Sequence, residues 1–282
     1  MLFYLVKLKQ IYFFMKKFSV EILPRQKSKI FELSNDFFED IYITHIPGSP
    51  SDELVQTSEL ILNEGFNPVP HIPARSFSSD DDAFILLKSL NNIGVNTLLT
   101  IGGSTKDASG PFASTMDMYQ SGIFNTLDFD EIRLAGHPEG NPDDTNSDFS
   151  LLNKLKWLND INVKISIVTQ FCLSYEITNR WIIETNKLIK DNNFNADLSI
   201  GIAGPAKIST LIKYAKVCGV SASKNFLMRQ GFDITKLLKL DPNAIIQYLK
   251  GYDNLHFFPF GGINELSKWV KENNFNFKNK EL

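Results

Sequence analysis

The 282-residue chain has little of several features that mark common classes of protein. Its two cysteines, Cys172 and Cys218, are too few for a disulfide framework and lack the C-x-x-C spacing of a zinc or redox site. The net charge is −3, and no basic run interleaved with aromatic residues occurs, which argues against nucleic acid as a partner. These features favour a reducing, cytoplasmic location.

Long apolar runs are also scarce. Residues 1–14 are apolar, but this segment is too short to cross a bilayer and is interrupted by Lys7 and Lys9. It lacks the basic region and the small-residue cleavage site of a secretory signal, so we expect no membrane partner. We interpret residues 1–17 as an N-terminal extension or a mis-assigned start, with Met15 as the alternative first residue, and residues 273–282 as a polar tail.

The remaining residues alternate between β-prone runs and helical patterns. Such alternation indicates parallel βα units, and eight units within residues 18–272 predict one α/β domain, a (β/α)8 TIM barrel. A doubly wound sheet is the alternative. The predicted strands are 18–23, 40–44, 68–72, 96–101, 131–136, 163–169, 197–202 and 254–260. The predicted helices are 51–63, 79–91, 112–120, 148–158, 175–190, 207–217 and 264–271, with extra helices at 221–250 between strands seven and eight.

Polar residues and glycines gather where the predicted strands end. In a barrel these carboxyl ends meet at one mouth, where ligands bind. Two adjacent glycines let backbone N–H groups approach a phosphate or a flat ring, because no Cβ intervenes. The residues at these ends are Glu21, Thr44, His71, Gly102, Gly103, His137, Glu139, Gln170 and Gly204.

Glu21 is a carboxylate within an apolar strand, where it must be paired, neutralised or used. An ion pair with Arg25 or Arg133 is one interpretation. A metal site of Glu21 with His45, His71 and His137 is another, but the first strand lacks H-x-H and no carboxylated-lysine pattern occurs. We therefore predict no metal.

Several motifs, in this order, resemble the methylenetetrahydrofolate reductase family. They are F-S-V-E-I-L-P from Phe18, V-P-H-I-P from Val69, the Gly102-Gly103 loop, H-P-E from His137, V-T-Q-F from Val168 and I-G-I-A-G-P from Ile200. The motifs V-P-H-I-P-A-R, G-I-A-G-P and N-L-H-F-F-P-F further resemble the short actinobacterial-type branch, in which flavin-free reductases are known. The resemblance spans about residues 18–270.

The resemblance implies a (β/α)8 barrel that moves a hydride from NADH or NADPH to 5,10-methylenetetrahydrofolate, giving 5-methyltetrahydrofolate. Glu21 matches the family's general acid, and we expect burial to raise its pKa into that role. Gln170 matches the glutamine that hydrogen-bonds the pterin, since an amide both donates and accepts. We assign the adjacent Phe171 to the same substrate site.

The family also binds FAD at the carboxyl ends of its strands. Glu139 and Asn153 lie near positions used around the adenosine and phosphates, and His137 stands where the family often has tyrosine. The positions that match the lining of the flavin ring are Thr44, His71, Gly102, Gly103 and Ser104.

The sequence departs from the family pattern at three places that concern cofactor binding. Gly102-Gly103-Ser104 replaces the usual R-G-D, Lys154 and Lys156 are displaced from the basic pair that holds the pyrophosphate, and Ile208 replaces an aromatic residue. Two routes therefore stay open, through FAD or directly from NAD(P)H. Because the nicotinamide is recognised here without a Rossmann fingerprint, the sequence does not separate NADH from NADPH.

Two other functions also remain open. One is a pterin-binding, methyltransferase-like barrel, and the other is a non-catalytic barrel that binds folate or flavin. A homo-oligomer is compatible with each of these functions.

Overall fold

The structure, a computed structural model, describes residues 17–141, 144, 147–218, 220 and 239–273. Eight parallel strands pair in chain order and close, with Ser19 of the first strand opposite His256 of the last. This confirms the predicted (β/α)8 barrel, and the doubly wound alternative is wrong. The strands are β1 Phe18–Ile22, β2 Phe38–Ile43, β3 Asn67–Pro73, β4 Thr97–Ile101, β5 Glu131–Gly136, β6 Lys164–Cys172, β7 Ala196–Ala203 and β8 Asn254–Phe258.

Helices follow the strands and cover the outside of the barrel. They are α1 Ser51–Asn63, α2 Asp80–Asn92, α3 Thr115–Gln120, α4 Ser147–Asp160, α5 Tyr175–Asp191, α6 Ile208–Val217, α7 Asn243–Ile246 and α8 Ile263–Glu272. Short 3-10 helices occupy Pro24–Glu32, Ala74–Ser76 and Ile123–Thr126. Of the extra helices predicted at 221–250, α7 is present, while residues 221–238 lie outside the described residues, as do 1–16 and 274–282.

Most predicted bounds differ from the observed ones by one to three residues, and two of these differences have a clear local reason. Helix α3 begins three residues later than predicted, because Ser114 and Asp117 form a reciprocal capping box that starts the helix at Thr115. Strand β8 ends at Phe258 rather than residue 260, because Pro259 has no N–H to donate to the ladder.

Side-chain alternation along the strands creates two separate cores. The outward faces pack beneath the helices, as Val20, Ile41 and Ile200 do. The barrel interior holds a small apolar cluster of Tyr42, Val69, Leu99 and Val168. Within the described part of the chain, no helix combines the length and the apolar composition that crossing a lipid bilayer requires.

Candidate functional site

Glu21 lies near the carboxyl end of β1, and its side chain is 20% exposed. Thr44, just after β2, donates a hydrogen bond from Oγ1 to Glu21 Oε1 at 2.8 Å. The other oxygen, Oε2, is 3.7 Å from His71 Nε2 of β3 and 3.6 Å from His256 Nε2 of β8. Side chains from three other strands or strand ends therefore hold this carboxylate inside the barrel mouth.

His256 is the member of this group to which sequence reasoning assigned no role. Its ring is 1% exposed, its Nδ1 lies 2.9 Å from Ser19 Oγ, and it packs on the Tyr42 ring at a centroid distance of 4.3 Å. Alternation within N-L-H-F-F was the available signal, since it places His256 on the face opposite the core residues Leu255 and Phe257. Closure of the barrel, which joins residues 237 positions apart, makes it a neighbour of Glu21.

The pKa of Glu21 differs from the expectation. Burial raises it, but the interactions with His256 and His71 and the hydrogen bond from Thr44 lower it by more, so that the pKa lies below the ordinary 4.5. The expected raised pKa is therefore wrong, and Glu21 is ionised near neutral pH.

His71 is 6% exposed and is neutral near neutral pH. Burial lowers its pKa below 6.5 and outweighs the attraction of Glu21, while His256 and His45 lower it further. Its Nε2 atom is buried and has no hydrogen-bond partner among the described residues. Within those residues, no group of three or more His, Cys, Asp or Glu side chains is arranged to hold a metal ion.

A second polar cluster lies deeper in the barrel, towards the amino ends of the strands. Arg133 contacts Asp40 Oδ2 at 2.7 Å, Glu131 Oε1 at 3.0 Å and the Tyr42 hydroxyl at 2.6 Å. Arg133 therefore pairs with Asp40 and Glu131 and not with Glu21. The interpretation of Glu21 as the ion-pair partner of Arg133 is wrong. Arg25, the other candidate partner, is exposed.

The glycine loop after β4 is held by the segment that follows β3. The Arg75 amide donates to the Gly102 carbonyl at 3.0 Å, and the Arg75 guanidinium donates to the Gly103 carbonyl. Gly103 has φ +97°, and a Cβ there would lie 3.2 Å from Pro73 Cβ. The segment of Pro73 and Arg75 thus packs closely against the two glycines, which is possible because they lack a Cβ. Ser104, the next residue, is exposed.

The residues assigned to the adenosine end of FAD lie around the loop after β5. Glu139 Oε1 accepts hydrogen bonds from the Leu173 amide at 3.0 Å and the Ser174 amide at 3.3 Å, which ties this loop to the end of β6. His137 is half-buried and accepts a bond from the Gly140 amide at 3.0 Å through its carbonyl. Asn153 is half-buried on α4.

The two residues assigned to the substrate lie in different environments. Gln170 is half-buried, and its Oε1 accepts a hydrogen bond from the Phe171 amide at 2.9 Å. Phe171 is 1% exposed and packs in the apolar core against Phe258 and Phe260, with ring centroids at 5.6 and 4.8 Å. The register of β6 against β7 shifts between Val168 and Phe171.

A cavity of about 230 Å³ opens beside the mouth, between the connections that follow β2 and β3. Thr44, His45, Pro73 and Ser76 line its inner side. Burial lowers the pKa of His45. Thr44 therefore borders both this cavity and the carboxylate of Glu21.

No protein-family model matches the sequence. The fold is similar to that of dihydropteroate synthase from Thermus thermophilus, at 11% identity and TM-score 0.47, covering 92% of this chain and 94% of that one. It is also similar to a putative deoxyribose-phosphate aldolase from Toxoplasma gondii, at 8% identity and TM-score 0.48, covering 96% and 97%. N-acetylneuraminate lyase from Fusobacterium nucleatum shares 11% identity at TM-score 0.45, with 79% of each chain covered. The likeness concerns the barrel fold alone.

Proposed function

We propose that the chain is a folate-dependent oxidoreductase that transfers a hydride from NADH or NADPH to 5,10-methylenetetrahydrofolate. The observation that carries this proposal is the Glu21 carboxylate, held in the barrel mouth by Thr44, His71 and His256. Barrel enzymes bind their ligands at this face. The motifs that resemble methylenetetrahydrofolate reductases supply the identity of the substrate.

The reaction needs one proton and one hydride. The bond between the bridging methylene carbon and N10 breaks, N10 takes a proton, and the carbon remains as an iminium on N5. Hydride from the nicotinamide then adds to that carbon, giving 5-methyltetrahydrofolate and NAD(P)+. Glu21 is the proposed proton donor to N10.

The lowered pKa of Glu21 implies an order of events. Glu21 must take up a proton before it can give one, because its pKa lies below the ordinary value. A pterin that displaces water from the mouth disfavours the charged carboxylate and so promotes this protonation. Gln170, oriented by the Phe171 amide, is the proposed donor to an acceptor atom on the edge of the pterin.

The residues that the resemblance assigns to FAD fit it poorly. Glu139 already accepts two backbone hydrogen bonds, and the space that a Cβ would fill at Gly103 already faces Pro73, whose Cβ is 3.2 Å away. The aspartate of R-G-D is replaced by Ser104. We therefore propose direct transfer from NAD(P)H, with the mouth holding nicotinamide and pterin face to face so that the reacting carbons lie in contact.

The test is anaerobic oxidation of NADH and of NADPH with and without methylenetetrahydrofolate, each with and without added FAD. We expect oxidation that depends on folate and not on FAD. Glu21→Gln should lower the rate by roughly 10²–10⁴-fold, the range typical of a lost general acid. Glu59→Gln, an exposed carboxylate of α1, is the matched control.

An unchanged rate in Glu21→Gln would show that the acid is assigned wrongly. Binding of 5-methyltetrahydrofolate without any oxidation of nicotinamide would instead support the pterin-binding, methyltransferase-like alternative. A flavin spectrum in the purified protein would contradict direct transfer.

A further inference from the structure

Ser19 and His256 face each other where the barrel closes, as partners in the β1–β8 pairing. Both are 1% exposed, so neither touches a ligand in the mouth. Both ring nitrogens of His256 are directed at polar groups, with Nδ1 2.9 Å from Ser19 Oγ and Nε2 3.6 Å from Glu21 Oε2. The imidazole therefore links a buried hydroxyl to the carboxylate.

This geometry selects one tautomer of the ring. An ionised carboxylate attracts an N–H, so Nε2 carries the hydrogen that faces Glu21. Nδ1 is then the acceptor, and the Ser19 hydroxyl donates to it. The rings of Tyr42 and Phe258, at centroid distances of 4.3 and 4.8 Å, pack against the imidazole and hold its plane.

The other groups that act on Glu21 or lie around it are uncharged near neutral pH. Thr44, just after β2, contributes a neutral hydroxyl. His71 of β3 is neutral because burial lowers its pKa. His45, after β2, acts on His71 and is itself made neutral by burial. Beyond α6, burial and the charge of Glu21 raise the pKa of the Cys218 thiol to about 11, so it is uncharged.

Arg133, a permanent cation inside the barrel, is engaged elsewhere. Arg133 pairs with Asp40 and Glu131, and its guanidinium meets the Tyr42 hydroxyl, whereas the Tyr42 ring lies against His256. Burial raises the pKa of Tyr42, which stays protonated between the two clusters. Of these two side chains, His256 and not Arg133 contacts Glu21.

We propose that Ser19 and His256 form a pair that sets the protonation state of Glu21 and thereby determines when the proton of the reductase reaction is available. His256 is a positioning residue, since it acts through Glu21. The proposal rests on the proposed function for its catalytic consequence, but the titration of Glu21 itself does not depend on that function.

The test follows the Glu21 carboxyl by carbon NMR in protein labelled at the glutamate carboxyl groups, with Glu21→Gln to assign the signal. His256→Leu removes the N–H, and we expect the Glu21 midpoint to rise by about one pH unit, a tenfold change in its protonation constant. His256→Gln keeps an N–H without a ring and should give a smaller rise. Ser19→Ala frees the tautomer and should also raise the midpoint, whereas Ser199→Ala, a serine of β7 that pairs with Asn254, should not.

The second readout is the pH dependence of folate-dependent NAD(P)H oxidation. The part of the pH–rate profile that requires protonated Glu21 should move to higher pH in Ser19→Ala and in His256→Gln. In each variant the shift should equal the shift of its Glu21 midpoint measured by NMR. If His256→Leu does not fold, these two variants decide the result. An unchanged Glu21 midpoint in both folded variants would overturn the pair.

The two proposals fail in different ways. A shifted Glu21 titration without folate-dependent oxidation in the wild-type protein would refute the proposed reaction and leave the pair standing. Folate-dependent oxidation with a wild-type Glu21 titration in Ser19→Ala and His256→Gln would refute the pair alone.

Discussion

At the scale of single residues, Tyr42 separates two charged environments along the barrel axis. Its hydroxyl contacts Arg133 at 2.6 Å, and its ring lies 4.3 Å from that of His256. The guanidinium of Arg133 also lies over the Tyr42 ring, 5.3 Å from its centroid. Arg133 consequently pairs with Asp40 and Glu131, while Glu21 contacts the imidazoles of His71 and His256.

Arg133→Met tests the lower cluster. The change removes the buried cation that contacts Asp40 and Glu131, whose side chains are 14% and 7% exposed, and removal of one partner of a buried ion pair costs about 3–5 kcal/mol. Lys164→Met is the matched control, because this lysine also contacts Glu131 but its side chain is 54% exposed, and such pairs contribute less than about 1 kcal/mol. Urea unfolding measures both, and equal losses of stability would contradict the assignment.

At the scale of secondary-structure elements, the packing of β5 against α5 depends on one glycine. A Cβ at Gly136 would lie 2.7 Å from Trp181 Cη2 and 2.9 Å from Cζ2. Trp181 is 8% exposed and belongs to the outer core. The indole can therefore reach the strand only because no side chain projects there.

Gly136→Ala should destabilise the protein by about 1–3 kcal/mol, the usual cost of overpacking a core. In a Trp181→Phe background the atoms that clash are gone, so the same change should cost less. Gly102→Ala is the control, since the nearest atoms to its Cβ would be those of the Arg75 guanidinium at 3.5 Å, an ordinary van der Waals contact. Thermal or urea unfolding of the wild type, the two single variants and the double variant measures the coupling between residues 136 and 181. If Gly136→Ala costs the same stability with either residue at 181, the clash with the indole is refuted.

At the scale of the whole molecule, buried titratable groups make stability depend on pH. Burial lowers the pKa of His71 below 6.5, so its contribution is fully present above that pH and is lost as the pH falls through the lowered value. Burial raises the pKa of both Glu21 and Glu131. The interactions with His256, His71 and Thr44 lower the pKa of Glu21 below 4.5, and those with Arg133, Ser166 and Lys164 do the same for Glu131. Their contributions are present above that pH and lost further into acid.

Unfolding free energy should therefore decline from about pH 6.5 downwards and more steeply below about pH 4.5. Urea midpoints measured across this range give the curve. His71→Gln cannot titrate and should lose less stability over the first part of the decline. An identical decline in that variant would show that His71 does not contribute.

Much of the fold was predictable because it depends on local patterns. Alternation of β-prone runs with amphipathic ones indicated eight βα units, and the predicted helix at 51–63 coincides with α1. Chain order then brings the strand ends together, which is why Glu21, Thr44 and His71 meet in the mouth. The capping box of α3 was also present in the sequence, at Ser114 and Asp117.

The sequence by itself determined that eight strands form a barrel and that Glu21 lies at its mouth, because both follow from periodicity along the chain. Only the tertiary structure decided that His256 faces Glu21, that Phe171 packs in the core and that Arg75 holds the glycine loop. It also decided that the pKa of Glu21 is lowered rather than raised. Those outcomes depend on strand register and barrel closure, which bring distant side chains within a few ångströms and set the balance between burial and neighbouring charge.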